Sequence, residues 1–198
     1  TYAVSIGAPL GEWIAAYRAA SVSPLATELM HAATASALGV GNDMTALVRV
    51  SGNDEAVAAQ EKALAELGAL RSVSGDAWAA LAGRDPSRPT AALRLSHRPA
   101  RIADVWALAS AIARDVPDAV VHATPDRGIT RVVLPHVDDA DLVARLHPAT
   151  EGTRVFEVLP ATLWREVAPS AVSDPLSQRV RAAFDPDRRL NPGILGDA

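Results

Sequence analysis

His136-Val137-Asp138-Asp139-Ala140-Asp141 brings one imidazole close to three carboxylates, a donor set that divalent metals accept. The same residues suit a helix start: Asp138 as cap, with Asp139 and Asp141 near the positive end of the dipole. The capping use is the expected one, and no metal is assigned. A second candidate is Leu93-Arg94-Leu95-Ser96-His97-Arg98, which alternates. A strand here sends Leu93, Leu95 and His97 to one face and Arg94, Ser96 and Arg98 to the other. If that second face walls a pocket, Arg94 is placed to clamp a carboxylate with two parallel N–H groups; otherwise it lies on a solvated strand face. The other histidines, His31, His97, His122 and His147, share no ligand spacing on an obvious helix. His122 reads as a half-buried strand residue with its hydrogen bonds met rather than as a base.

The phosphate-binding, zincin and nucleophile-elbow patterns are absent from the sequence. Gly39-Val40-Gly41 is an isolated turn, too short to cradle a phosphate. Any chemistry must therefore come from residues that the fold gathers.

The elements that would gather them are legible. Ile102, Val105, Trp106, Ala109, Ile112 and Ala113 form one apolar stripe, so a helix is expected over Arg101–Arg114, entered at Pro99. A helix over Asp54–Leu67 has Asn53 as cap and Gly68 as stop, with Val57, Ala63, Leu64 and Leu67 inward. Further helices are expected at Glu12–Ala20, Asp76–Ala82, Asp139–Leu146 and Pro175–Phe184, the last started by Asp174-Pro175. Strands are expected at Thr45–Val50, Ala91–His97, Ala119–Ala123, Ile129–Pro135 and Thr153–Leu159, with weaker signals at Tyr2–Ile6 and Leu25–Met30. Pro125-Asp126-Arg127-Gly128 joins two of these strands as a hairpin.

From Ala91 to Leu159 the order is β-α-β-β-α-β, the split pattern of a ferredoxin-like unit, and a fainter copy precedes it. The expected class is α+β. Two ferredoxin-like units would share one broad, mostly antiparallel sheet with helices on one face, followed by a C-terminal helix and tail. Residues 1–160 would form this body, divided near 85–90. Residues 161–198 would supply a linker through Val167–Ser173, the last helix and the tail.

The chain has 198 residues, 49% of them hydrophobic, and a formal net charge of −4. That composition is globular, and the slight acidity argues against nucleic acid as a partner. No run of apolar residues is long enough for a transmembrane segment. Cysteine is absent, which removes thiolate nucleophiles and iron–sulfur ligation from this chain. There are 41 alanines and a single lysine, Lys62, beside 18 arginines. A GC-rich genome is the expected source of the arginine bias, ahead of any anion-binding purpose, and the alanine content leaves the bulk of the core to Leu, Val, Ile and Trp13, Trp78, Trp106 and Trp164. The chain opens Thr-Tyr-Ala-Val without an initiating Met, as expected of a piece of a longer protein.

The most specific stretch is the tail. Leu176, Val180, Ala183 and Phe184 form a helix stripe, Asp185-Pro186 stops the helix, and Asn191-Pro192-Gly193 makes a tight turn. This segment resembles the close of FAD-linked oxidases of the vanillyl-alcohol-oxidase type. Within that group it is most similar to the FAD-binding subunits of bacterial glycolate oxidases, as is Thr45–Gly52 with the helix carrying Val57-Ala58-Ala59-Gln60. The resemblance implies a C-terminal cap, or substrate, domain whose cofactor, FAD, is held mainly by an upstream domain. Asn191 and Gly193 would be its cofactor-facing residues, while Arg94, placed by its strand alternation and not by the resemblance, is the candidate substrate contact. The resemblance further implies a small 2-hydroxy acid as substrate, hydride transfer to the flavin, and partner subunits that include an iron–sulfur protein. The location implied is cytoplasmic, or peripheral to the inner membrane through those subunits. His122-Ala123-Thr124-Pro125-Asp126-Arg127-Gly128 departs from the metal motif of the D-lactate dehydrogenase kind, lacking its second histidine, which disfavours the metal-assisted branch. Two other readings stay open: a stand-alone ferredoxin-like module for a small ligand or for regulation, and a separate enzyme built on His136 and its carboxylates.

Overall fold

Short β-branched runs separated by capped amphipathic segments make strand and helix alternate along the chain. The computed structural model describes residues 1–84, 89–146, 153–167, 175–187 and 189. The N-terminal half holds β1 (Tyr2–Ser5), α1 (Leu10–Ala19), β2 (Ala26–Met30), α2 (Ala32–Ala37), β3 (Thr45–Arg49), α3 (Asp54–Ala65), β4 (Leu70–Ser72) and α4 (Asp76–Ala82). The C-terminal half holds β5 (Ala91–Ser96), α5 (Ile102–Ile112), β6 (Val120–Thr124), β7 (Ile129–Leu134), α6 (Asp139–Leu146) and β8 (Thr153–Val158). Two further helices follow, α7 (Trp164–Val167) and α8 (Pro175–Phe184).

All eight strands join one antiparallel sheet in the order β4-β1-β3-β2-β6-β7-β5-β8. The fold is α+β. In each half the first strand lies between the third and the last, so the second half repeats the strand order of the first in mirror sequence along the sheet. In the sheet the halves join where β2 pairs with β6, with Leu29 opposite Ala123 and Met30 opposite His122, and the His31 N–H donates to the Val121 carbonyl beside them. By contrast, β5 and β7 pair from Ala91–Leu134 to Ser96–Ile129.

The main core lies on one face. There α1, α3, α5 and α6 bury Trp13, Tyr17, Leu64, Trp106 and Leu142 against Val4, Val48, Leu93 and Val121. Each such side chain contributes about 1.5–3 kcal/mol by leaving water. Trp13 stacks on Tyr17 with ring centroids 5.0 Å apart, and its indole N–H donates to the Leu67 carbonyl. Capping follows expectation: Asn53 accepts the Ala56 N–H and Asp138 accepts the Asp141 N–H, both at 2.9 Å. Each cap contributes about 1 kcal/mol.

Helices on one face only is an expectation that fails in the N-terminal half. Ala3, Met30 and Leu47 point away from the main core, and α2 and α4 cover them with Ala35, Trp78 and Leu81. The cause is local: Tyr2-Ala3-Val4 and Ala46-Leu47-Val48 are continuous apolar runs, buried on both sides, so the sheet here needs a second cover. Arg49 packs over the Trp78 ring, 5.1 Å from its centroid, and pins that cover at its edge. Two elements without a clear sequence signal, α2 and β4, complete this half.

The β6–β7 connection is a single 3-10 turn, Pro125–Arg127, closed by Gly128 at φ 62°. Among the described residues no helix is long and apolar enough to cross a membrane. A division near 85–90 leaves the sheet continuous, since the strands on either side belong to it.

Candidate functional site

The second face of the C-terminal half carries polar side chains, because β5, β6 and β7 alternate there instead of being apolar throughout. His122 lies directly opposite Arg131, and Arg131 directly opposite Arg94. Residues paired in this way share a face. With strands about 4.8 Å apart, the row from His122 to Arg94 spans about 10 Å.

At one end of the row, Glu28 of β2 is buried, 7% exposed. One carboxylate oxygen lies 2.5 Å from His122 Nδ1, and the other accepts the Thr124 hydroxyl at 2.8 Å. A carboxylate beside Nδ1 favours a ring proton on that nitrogen, so Nδ1–H donates to Glu28. The dyad joins the two halves, Glu28 coming from the first and His122 from the second. In the middle of the row, Arg131 Nε donates to Glu157 at 2.7 Å. Arg94 is exposed and has no side-chain hydrogen bond or ion pair among the described residues. Like charges directly opposite each other across two strands repel. Glu157 offsets one of this pair, and Arg94 is left to attract an anion.

The sequence candidates fall out unevenly. Arg94 stands on the face expected for it, with Leu93 and Leu95 buried behind. Asn191 and Gly193 lie outside the described residues, as does His147. The acidic run after His136 is used structurally: Asp138 caps α6, Asp141 pairs with Arg145 at 2.7 Å, and Asp139 accepts from Thr162. Among the described residues no group of three or more His, Asp or Glu side chains is placed to hold a metal.

No family model matches this chain, and no curated protein matches it.

Sequence reasoning misses the Glu28–His122 dyad, whose members stand 94 residues apart. The available signal is Glu28 itself, a carboxylate inside the short apolar strand Ala-Thr-Glu-Leu-Met, where burial demands a partner. A buried polar pair on the opposite face needs no such role: Tyr17 and Thr27 share a hydrogen bond among core side chains. Burial there lifts the Tyr17 hydroxyl to about 12.

One further histidine is perturbed. Burial lowers the pKa of His31, at the start of α2. Its unfolded value is near 6.5, so the unfolded chain binds the proton more readily. The stability linked to neutral His31 is therefore present above pH 6.5 and lost as pH falls through the folded value. We expect the urea midpoint to fall from pH 7 to pH 5, and to fall less in His31→Asn. Equal falls in both proteins would refute the assignment.

Proposed function

We propose that this chain is the C-terminal cap, or substrate, domain of an FAD-dependent oxidase or dehydrogenase acting on small 2-hydroxy acids of the glycolate kind. The observation that carries the reading is Arg94: a cation without a partner among the described residues, on a sheet face, in line with an imidazole held by a buried carboxylate. A 2-hydroxy acid offers the complementary pair of groups, a carboxylate and a neighbouring hydroxyl. Arg94 binds the carboxylate through its fork of N–H donors. His122 accepts the hydroxyl proton at Nε2, and Glu28 fixes the ring for that task.

The donor set suits a substrate and not a dinucleotide, whose pyrophosphate calls for a cradle of backbone N–H groups at a helix start. FAD would therefore be held mainly by another domain, and when bound it supplies the acceptor for the hydride leaving the α-carbon. A surface for such a domain is available on α8, where Leu176 and Phe184 are 68% and 81% exposed. With no cysteine in this chain, an iron–sulfur relay would belong to a partner subunit.

The decisive experiment is to purify the product of the complete reading frame that contains these residues. We expect bound flavin, bleached anaerobically by glycolate or D-lactate. The 198 residues alone, mixed with FAD and gel-filtered, are expected to emerge colourless. A flavin-free complete product would overturn the reading in favour of a stand-alone ligand-binding module, and tight flavin binding by the isolated chain would overturn the division of labour.

A further inference from the structure

Where the two halves meet, a cleft of about 410 Å³ lies between the start of α2 and the last turns of α5 with the loop behind them. That volume is within the range of small-molecule sites, roughly 300–1,000 Å³. Small apolar side chains such as Ala111, Ala119 and Val121 line it, together with His31, Ser110, Arg114 and Asp115. None of these four polar side chains has a hydrogen-bond or ion-pair partner among the described residues.

The geometry of the charged pair is specific. Arg114 and Asp115 are neighbours in sequence and both line the cleft without pairing with each other. Asp115 adopts left-handed backbone, φ 60°, a conformation Asp tolerates in turns. The turn is held from outside: the Arg145 guanidinium donates to the carbonyls of Ile112 at 3.1 Å and Arg114 at 2.6 Å.

The charges restrict the ligand. A simple anion would meet Asp115, and a metal cation would meet Arg114. An apolar molecule would use neither charge. A zwitterion satisfies both, with its carboxylate on Arg114 and its ammonium on Asp115, while a short side chain lies on the alanine wall. We infer that this cleft binds a small α-amino acid with a short aliphatic side chain. The inference is independent of the oxidase reading, since it uses none of the residues on the Arg94 face.

Calorimetric titration of the 198-residue chain with L-alanine and L-valine tests it, with acetate and ethylammonium as half-ligands. Saturable binding of an amino acid is expected, with each half-ligand at least about tenfold weaker because one charge-assisted contact is lost. Arg114→Gln and Asp115→Asn, both at exposed positions, should each weaken amino-acid binding by about the same factor, while Glu55→Gln on α3 leaves it unchanged. Absence of amino-acid binding, acetate binding as tightly as alanine, or unchanged affinity in both cleft variants would each overturn the inference.

Discussion

Gly128→Ala is expected to destabilise the protein by about 3 kcal/mol or more. Two independent costs meet at this residue. Its backbone is left-handed, φ 62°, and a Cβ built on it would run into the His97 carbonyl oxygen. That oxygen belongs to backbone and cannot swing aside as a flexible side chain would. The His97 N–H also donates to the Gly128 carbonyl at 2.8 Å, so separating the two segments breaks a bond that ties the end of β5 to the hairpin. Gly39→Ala is the matched control: its φ is 66°, yet nothing lies within 4 Å of the added carbon. It should cost only about 1 kcal/mol. Urea midpoints at constant slope measure both. Equal losses would show that the contact with His97 contributes nothing.

In the flavin-loaded complete protein, Arg94→Ala is expected to lower kcat/KM for a 2-hydroxy acid by about 100-fold, chiefly through KM. The magnitude follows from losing a bidentate, charge-assisted contact worth about 3 kcal/mol. Arg94→Lys should recover part of the loss, since an ammonium keeps the charge and not the fork. Folding stability should stay within about 0.5 kcal/mol or rise slightly, because the variant removes a cation lying directly opposite Arg131. Unchanged kcat/KM with bound flavin would remove Arg94 from the site. Lost activity together with a large loss of stability would assign it a structural role instead.

What is legible in the sequence follows from how local each signal is. The α5 stripe of Ile102, Val105, Trp106, Ala109 and Ile112 is buried as its period requires, and Asp139–Leu146 and Pro175–Phe184 begin and end where their caps and prolines place them. Strand β4 is invisible in the sequence because three residues, Leu-Arg-Ser, carry no period. Gln60 carries no local signal of burial, yet it is buried. Its side chain accepts the Ser23 N–H and donates to the carbonyls of Ser51 and Ala56, a set of partners that only the folded chain assembles. The apolar stripe on α8 is evident from its spacing, but Leu176, Val180 and Phe184 face outward, since periodicity reports that a face is apolar and not what it meets. The candidate site is half legible for the same reason. Alternation places Arg94 on its face, whereas the partnership of Glu28 with His122 depends on which strands become neighbours.

The sparse β2–β6 pairing has a mechanical consequence. Few ladder pairs hold this joint, so amide protons such as that of His31, bonded across it to Val121, should exchange before those deep within either half. Because the carboxylate and the imidazole of the dyad stand on opposite banks of that joint, a small hinge displacement there would lengthen their bond and loosen the ring.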